Sequence, residues 1–517
     1  MCRNFTKYTA RIMKYKSNLL RTTRIALATL FFVAVTLLFL GVGWKFNLWF
    51  AWVAKVQFLP ALIALDFAVL ALLVVLTLIF GRLYCSVICP LGVMQDIFGW
   101  LGKKQKKNRY SYSTEKRWLR YSVLAIFIVC LILGFAPVTT LLAPYSAYGR
   151  IVNSIFRPLY DLLQNALALV DTHFEWYLIP KAELWLRSVT TLVVALLTLV
   201  LLGVLAWRNG RTYCNTICPV GTILSFFARF SLLRIQVDEN KCNKCTLCEK
   251  NCKAAAIDAK SGKVDYSRCV ACGDCIDKCN RDALHYKPIN LRAKKAEEVK
   301  TSTDNQPVSP ERRAMLTGAL LAVSSAAMAQ AKIKVDGGLA EIEEKRVPHR
   351  DTPLTPPGSI SARNMQKHCT ACQLCVSACP NNVLRPSLDP MRFMQPEMSF
   401  ERGFCRPECN RCSQVCPTAA IRAIEAEDKT AIRIGRAVWI AENCIPVTKG
   451  DKCGACARNC QAEAILMVDY TTSDGRKVQV PTVDAERCIG CGECEYICPA
   501  RPFSAIYVEG YTTHHND

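Results

Sequence analysis

Cysteine dominates the chemistry that this sequence can perform. The chain of 517 residues contains 30 cysteines, and 24 of them fall into six groups of four. Two groups have the spacing C-x2-C-x2-C-x3-C, which is typical of ligands to [4Fe–4S] clusters. They are Cys242, Cys245, Cys248 and Cys252, then Cys269, Cys272, Cys275 and Cys279.

Four further groups follow with the same spacing or a lengthened first gap. Zinc is the alternative metal, but zinc sites favour two separated pairs of cysteines, whereas in each of the first two groups four cysteines fall within eleven residues. We therefore predict six [4Fe–4S] clusters. The remaining ligands are Cys369, Cys372, Cys375, Cys379, Cys405, Cys409, Cys412, Cys416, Cys444, Cys453, Cys456, Cys460, Cys488, Cys491, Cys494 and Cys498.

The fourth cysteine of each group raises a question of pairing. In a two-cluster ferredoxin it binds the neighbouring cluster rather than its own. For the four C-terminal groups, pairing could be sequential, first with second and third with fourth, or nested, first with fourth and second with third. Spacing does not decide between them. The first two groups also depart from the usual pattern, because Lys253 and Asn280 stand where proline commonly follows.

A twelve-residue repeat supplies four more cysteines. GRLYCSVICPLG at 81–92 and GRTYCNTICPVG at 210–221 each follow an apolar run. In a helix the two cysteines of each repeat share one face, and the following proline is expected to end the helix. The arginines are expected at the membrane interface, holding headgroups or depressing thiol pKa values. The cysteines are Cys85, Cys89, Cys214 and Cys218, candidates for a seventh cluster or a dithiol pair near a quinone site, or else part of a duplicated span-ending device.

Apolar segments must position these groups. Four runs, at 23–43, 58–80, 119–141 and 187–207, approach the roughly 20 residues that cross a bilayer. Basic residues cluster at 1–22 and 103–120, which predicts that both lie in the cytoplasm and that 142–186 faces outward. Asp66 lies in the second run, where it is either a functional intramembrane acid and quinone-site candidate or a solvated interfacial residue. No catalytic acid–base constellation stands out.

The predicted fold class is an α-helical membrane domain with about four transmembrane helices, joined to α+β ferredoxin-like domains. The net charge of +23 is attributed to the basic flanks of the spans, so no nucleic-acid partner is expected. The predicted boundaries are 1–235 for the membrane domain, 236–287 for a two-cluster domain, 288–311 for a linker, 312–331 for a signal-like segment, 332–360 for a second linker and 361–517 for a four-cluster domain.

The segment 312–331 decides the predicted topology. Two arginines precede a short run of small apolar residues that ends in Ala-x-Ala-like sequence, which resembles a twin-arginine export signal placed inside the chain. Export would place four clusters outside and two in the cytoplasm. The alternative is an ordinary cytoplasmic helix, which would leave all six clusters in the cytoplasm.

At this point the motifs resemble a known pair of families. Residues 1–290 resemble NapH-type membrane ferredoxins, and residues 309–517 resemble NapG-type four-cluster proteins, including the ending CIGCGECEYICP. The chain looks like a fusion of the two. The resemblance implies a quinol dehydrogenase component in the bacterial inner membrane, which passes electrons from the quinone pool through [4Fe–4S] clusters to a periplasmic reductase.

Two functions stay open at this stage. The first is electron transfer from quinol to a redox enzyme, with the protein as a carrier or a quinol dehydrogenase component. The second is a membrane-anchored polyferredoxin that senses redox state or assists maturation of another metalloenzyme, with all clusters in the cytoplasm. The sequence indicates neither the terminal acceptor nor the quinone type.

Overall fold

The computed structural model describes residues 2–105, 110–175, 180–182, 187–289 and 343–516, with only the backbone for 2–19 and 105. Residues 2–228 form a helical region. Its helices are α1 Cys2–Leu40, α2 Trp44–Lys55, α3 Phe58–Ile63, α4 Phe67–Phe80, α5 Leu83–Val87, α6 Pro90–Gln105, α7 Arg117–Leu133, α8 Ala136–Leu142, α9 Pro144–Ile151, a π-helical turn Val152–Phe156, α10 Arg157–His173, α11 Val189–Asn209, α12 Thr212–Thr216 and α13 Pro219–Ala228.

A small α+β domain follows directly on the helical region. Its outer strands pair antiparallel, with Leu233 opposite Pro288 and Val237 opposite Leu284, so the domain begins and ends at the same edge. A short inner hairpin pairs Ile257 with Val264. The elements are β1 Leu233–Val237, α14 Leu247–Lys250, β2 Ile257–Asp258, β3 Lys263–Val264, α15 Asp274–Asp277 and β4 Leu284–Pro288.

The C-terminal domain, residues 343–516, is built from three antiparallel strand pairs and short helices. The strand pairs are β5 with β6, β7 with β10 and β8 with β9. Its elements are α16 Ala362–His368, α17 Leu374–Ala378, β5 Leu384–Pro386, β6 Pro396–Met398, α18 Arg411–Val415, β7 Ile432–Trp439, α19 Ile445–Thr448, α20 Ala455–Arg458, β8 Ile465–Thr471, β9 Lys477–Val483, α21 Glu493–Ile497 and β10 Ile506–Asn516, with 3-10 turns at Pro390–Arg392, Asp428–Ala431 and Ala441–Asn443.

Two helices are long and apolar enough to cross a bilayer by length and composition, Leu20–Leu40 within α1 and Val189–Asn209. The other two predicted spans are interrupted. A turn that includes Leu65, with φ 56°, separates α3 from α4. Gly134, with φ 72°, caps α7 before α8 begins. Four continuous spans are therefore not shown.

The two ferredoxin-like domains contact opposite ends of the long helices. Near the start of its apolar part, α1 reaches the small domain through Arg21, which pairs with Asp274 at 3.2 Å. At the other end, a Cβ on Gly41 would lie 3.4 Å from the Ser377 carbonyl oxygen of the C-terminal domain. The 21 residues between Leu20 and Leu40 span about 31 Å at 1.5 Å per residue.

Helix α11 repeats this arrangement in the opposite direction. Just before it, Arg187 donates to Asn153 at 2.7 Å, and Ser377 of the C-terminal domain donates to the same amide oxygen at 3.0 Å. Just after it, the Arg211 amide donates to the Lys253 carbonyl of the small domain at 2.8 Å. The helical region therefore separates the two domains by about the thickness of a bilayer.

Candidate iron–sulfur sites

The thiols of the small domain form two sets, each joining cysteines from both sequence groups. Burial raises the pKa of the Cys275 thiol, and the neighbouring thiols of Cys272, Cys252 and Cys269 raise it further. Coulomb interactions weaken with distance, so these four thiols lie together. The other set surrounds a cavity of about 220 Å³. We call the set around the cavity A (Cys242, Cys245, Cys248, Cys279) and the other set B (Cys252, Cys269, Cys272, Cys275).

The C-terminal domain answers the question of pairing, which is sequential. Burial raises the pKa of Cys375, and the thiols that raise it next are those of its own group and Cys416. Cys379 in turn acts on Cys412, which belongs to the following group. The first pair of groups thus exchanges its fourth cysteines, giving set D (Cys369, Cys372, Cys375, Cys416) and set E (Cys379, Cys405, Cys409, Cys412).

The last two groups exchange their fourth cysteines in the same way. Cys498 raises the pKa of Cys456, after burial, and Cys460 raises that of Cys491. Nested pairing is excluded by these contacts. The resulting sets are F (Cys460, Cys488, Cys491, Cys494) and G (Cys444, Cys453, Cys456, Cys498).

Backbone amides are directed at the exchanged cysteines. After four of the six the chain turns so that a nearby alanine N–H donates to the sulfur: Ala256 to Cys252 at 3.4 Å, Ala283 to Cys279 at 3.3 Å, Ala464 to Cys460 at 3.3 Å and Ala505 to Cys498 at 3.3 Å. Hydrogen bonds of this kind stabilise thiolate ligands and raise the reduction potential of a cluster.

The repeat cysteines converge into a further set, although they come from segments more than 120 residues apart. All four are buried, with 4–5% of each side chain exposed. After burial, the thiols of Cys214 and Cys85 raise the pKa of Cys89, and those of Cys214, Cys89 and Cys85 raise that of Cys218. This is set C (Cys85, Cys89, Cys214, Cys218).

The two repeats hold one another through their arginines. Arg82 donates to the Cys214 carbonyl at 3.0 Å, and Arg211 donates to the Cys85 carbonyl at 2.6 Å. Arg82 also lies 3.7 Å from the Cys85 sulfur. Both guanidinium groups are fully buried between the repeats, so they are not placed to bind headgroups. Burial raises the pKa of Cys214 and both arginines lower it, which is the other role expected of them. Their position at a membrane interface stays a prediction.

The glycine that ends each repeat explains why the repeat extends beyond its cysteines. A Cβ on Gly92 would lie 2.2 Å from the Cys85 carbonyl oxygen, and a Cβ on Gly221 would lie 2.3 Å from that of Cys214. The prolines do interrupt the helix as expected, since α5 ends at Val87 and Pro90 begins α6. Each motif is therefore a helix break that presents its cysteines directly after an apolar helix, since α4 ends at Phe80 and α11 ends at Asn209.

The sets follow one another through the molecule. Between B and C, Arg82 donates to the Ser267 carbonyl of the small domain at 3.2 Å and lowers the pKa of Cys269, which burial raises to about 12. Between C and D lies Arg150. Burial lowers its pKa, nearby Tyr213 and Cys372 partly offset this effect, and the resulting pKa is about 10. The order A, B, C, D thus runs from the small domain through the helical region.

Sets E, F and G continue this order within the C-terminal domain. The Cys405 amide donates to the Cys491 carbonyl at 2.9 Å, which joins E to F. Cys456 of set G raises the pKa of Cys494 of set F, after burial and nearer charges. Sets D and E are adjacent, because each takes its fourth cysteine from the sequence group that supplies the other three cysteines of its neighbour. The seven sets therefore form one series.

The donor sets fit [4Fe–4S] clusters. Each set offers four thiols. Ligands are exchanged between sets A and B, between D and E, and between F and G, as they are in two-cluster folds. Within the described ranges, no three His, Cys, Asp or Glu side chains are arranged around one metal-ion position. A cubane differs, because each of its four irons takes one thiolate.

Other predicted site residues lie elsewhere. Asp66 is exposed and caps α4, accepting from the Val69 amide at 3.2 Å, and its place in a quinone site stays a prediction. The segment 312–331 lies outside the described residues.

Sequence reasoning missed three polar residues close to the thiols. Asp96 accepts ion pairs from three cations that join the helical region to the small domain. Lys253, found where proline was expected, supplies one of these cations. Lys429 donates to the Cys405 sulfur at 3.2 Å. No motif marks Asp96 or Lys429, and the only signal at Lys253 was its departure from the usual proline.

Family models and known proteins agree with this chemistry. A model described as a 4Fe-4S binding domain matches residues 64–108 and 190–237, which contain the repeats of set C. A 4Fe-4S dicluster domain matches 449–501, and a further 4Fe-4S binding domain matches 365–385. These matches identify an iron–sulfur protein.

Relatives identify the family. The ferredoxin-type protein NapG of Escherichia coli is 32% identical over 185 residues, covering 32% of this chain and 77% of NapG. The chain belongs to the NapG-like ferredoxin-type proteins. The methylamine utilization ferredoxin-type protein MauM of Methylorubrum extorquens is 31% identical, covering 37% of this chain and 86% of MauM.

The ferredoxin-type protein NapH of Escherichia coli is 27% identical over 234 residues, covering 44% of this chain and 68% of NapH. The NapG and NapH matches together support a NapH/NapG-like polyferredoxin fusion. Of three further curated relatives the chain spans 41%, 64% and 66%, less than two thirds of each. No solved structure matches the chain.

Proposed function

We propose that this chain is a membrane-bound electron-transfer protein that passes electrons from the quinol pool through sets A to G to a redox enzyme on the periplasmic side. The observation that carries the proposal is the single series of cysteine sets, which begins in one domain, passes through the helical region and ends in the other domain. When bound, [4Fe–4S] clusters supply one-electron transfer. The chain itself fixes their order and surroundings.

Exposed apolar surface supports the membrane assignment. Leu197 and Val200 of α11 are 65% and 60% exposed, Ile132 of α7 is 77% exposed and Leu30 of α1 is 63% exposed. Soluble monomers rarely expose apolar surface so continuously. Lipid contact along α1, α7 and α11 accounts for this surface, and it would surround the layer that contains set C.

Charge supports the orientation. Lys103 and Arg120, at the two ends of the basic segment, lie where the helical region contacts the small domain, and Arg120 donates to the Ser267 carbonyl at 3.5 Å. Basic flanks favour the cytoplasm. The small domain would then be cytoplasmic, and the C-terminal domain, at the opposite end of α1 and α11, would be periplasmic, as export by the twin-arginine-like segment requires.

A seventh cluster at set C completes the series. Without it, sets B and D would be separated by the helical region. The match of a 4Fe-4S binding domain to both repeats supports this assignment. Arg150 supports it further, because its buried guanidinium has no carboxylate partner among the described residues and an anionic cluster on either side would balance its charge.

Iron content and membrane sidedness test the proposal. In full-length protein purified anaerobically, Cys89→Ala should lose about four irons per chain, whereas Cys130→Ala, which alters a thiol outside the seven sets, should lose none. In intact spheroplasts, protease should remove a C-terminal tag. Equal iron in both variants would remove set C from the series, and a tag protected until lysis would favour the cytoplasmic sensing or maturation protein.

A further inference from the structure

A cavity of about 400 Å³ opens between α1, α6 and the small domain. We call it the α1–α6 cavity. Its apolar walls come from both helices, and its inner end is polar. The walls are Ile25, Ala28 and Phe32 of α1 with Val93, Ile97 and Trp100 of α6, and the inner polar side chains are Arg24, Gln95, Asp96, Arg211 and Lys253.

The polar end of the cavity contains both ion-paired side chains and hydrogen-bonding atoms that lack a partner among the described residues. The Asp96 carboxylate forms ion pairs with Arg24 at 3.0 Å, Arg211 at 2.7 Å and Lys253 at 2.7 Å. Gln95 is 1% exposed, yet its Oε1 has no hydrogen-bond partner among the described residues. The same holds for Nε of Arg24 and Nη2 of Arg211, which are 7% and 1% exposed. One acceptor and two donors thus remain beside an ionic network that is already paired.

The cavity adjoins two cysteine sets at once. Gln95 donates to the Cys214 sulfur of set C at 3.2 Å. Lys253 directly follows Cys252 of set B and pairs with Asp274 at 3.3 Å. A ligand at the polar end would therefore lie one side chain away from each set.

We propose that the α1–α6 cavity binds a quinone, with the headgroup at Gln95 and Arg211 and the isoprenoid tail between α1 and α6. This rests on the proposed electron-transfer function and deepens it. A quinone carbonyl accepts hydrogen bonds from arginine, and a quinol hydroxyl donates to the amide oxygen of glutamine. A phospholipid would fit the cations and the apolar walls, but it would not require the adjacent thiols.

The reaction balances within the proposed site. A quinol breaks two O–H bonds and becomes a quinone, releasing two electrons and two protons. Oxidised [4Fe–4S] clusters held by sets B and C would each accept one of these electrons. The protons leave to solvent at the rim, where Arg21 and Lys278 are 42% and 55% exposed. The excess of cations around the headgroup favours the deprotonated quinol from which electrons depart.

Wall substitutions test the site without touching the thiols. Ile97→Trp and Ile25→Trp fill the cavity from opposite walls, and both side chains are about two-fifths exposed, so the added bulk should not disturb folding. Ile132→Trp on α7 is the matched control. Full-length protein in nanodiscs, with clusters oxidised, is mixed with ubiquinol-1 or menadiol, and cluster bleaching is followed by absorbance.

Both cavity variants should bleach at least tenfold more slowly than the control, with unchanged bleaching by dithionite. They should also bind the quinol analogue heptyl-hydroxyquinoline N-oxide at least tenfold more weakly. Quinol rates equal to the control would overturn the site while leaving electron transfer from quinol intact. Wild-type protein bleached by dithionite but by neither quinol would overturn the quinol donor itself. Loss of anionic-lipid binding without loss of analogue binding would show a lipid site instead.

Discussion

Asp96 is the ionic centre that joins α1, α6, the second repeat and the small domain. We predict that Asp96→Asn destabilises the protein by about 4 kcal/mol, because breaking a buried ion pair costs about 3–5 kcal/mol. Asparagine removes the carboxylate that three cations approach at 2.7–3.0 Å. Lys253 keeps Asp274 at 3.3 Å and Arg211 keeps the Cys85 carbonyl at 2.6 Å, so the loss is partial.

The charge state of Asp96 makes this prediction independent of pH near neutrality. Burial raises the pKa of the carboxyl, but Arg211, Lys253 and Arg24 outweigh burial and hold the pKa well below its usual range. The stabilisation is therefore present above the unfolded pKa near 4 and is lost only as the pH falls through the lower folded pKa. The difference between Asp96→Asn and wild type should be the same at pH 6 and pH 8.

The assay is thermal loss of iron–sulfur absorbance in nanodiscs under anaerobic conditions. For a unit of about 200 residues, 4 kcal/mol corresponds to a fall in Tm of roughly 8–16 °C. Asp277→Asn is the control, because Asp277 pairs at 3.2 Å with an arginine that is 42% exposed. That pair should contribute about 1 kcal/mol or less. Equal Tm values for the two variants would refute the central role of Asp96.

Three further predictions concern single side chains. Gly92→Ala should prevent assembly of set C and reduce iron content, because its Cβ would lie 2.2 Å from the Cys85 carbonyl, whereas Gly43→Ala, with no atom within 4 Å, should assemble normally; iron analysis decides. Lys429→Met should lower the reduction potential of set E by tens of millivolts, since the lysine stabilises added negative charge at the Cys405 sulfur; a potentiometric titration followed by EPR would show no shift if the contact were unimportant. The pKa of His514 is lowered to about 4 by burial and by His515. Because the unfolded histidine gains its proton first, the free energy of unfolding should fall by about 1 kcal/mol from pH 7.5 to 5.5. His514→Gln should remove that part of the change in Tm, and a pH profile of Tm that is unaltered in this variant would contradict the prediction.

The sequence alone determined the cofactor chemistry. Ligand spacing of C-x2-C-x2-C-x3-C is a local property, because each loop must wrap one face of a cubane. The six groups and the repeat could therefore be read directly, whereas the domain boundaries stay a prediction. The two helices Leu20–Leu40 and Val189–Asn209 were also predictable, because continuous apolar length is local information.

Tertiary structure decided everything that depends on distant contacts. One such feature is the sequential exchange of fourth cysteines. Two others join segments more than 120 residues apart, namely the convergence of Cys85 with Cys214 and the crossing of Arg82 and Arg211. The interruption of the second predicted span was also hidden, because hydropathy averages over the turn near Leu65. Composition and periodicity predict which side chains are buried. The packing of the helices decides which of these buried groups contact one another. The order of the seven sets follows from that packing alone.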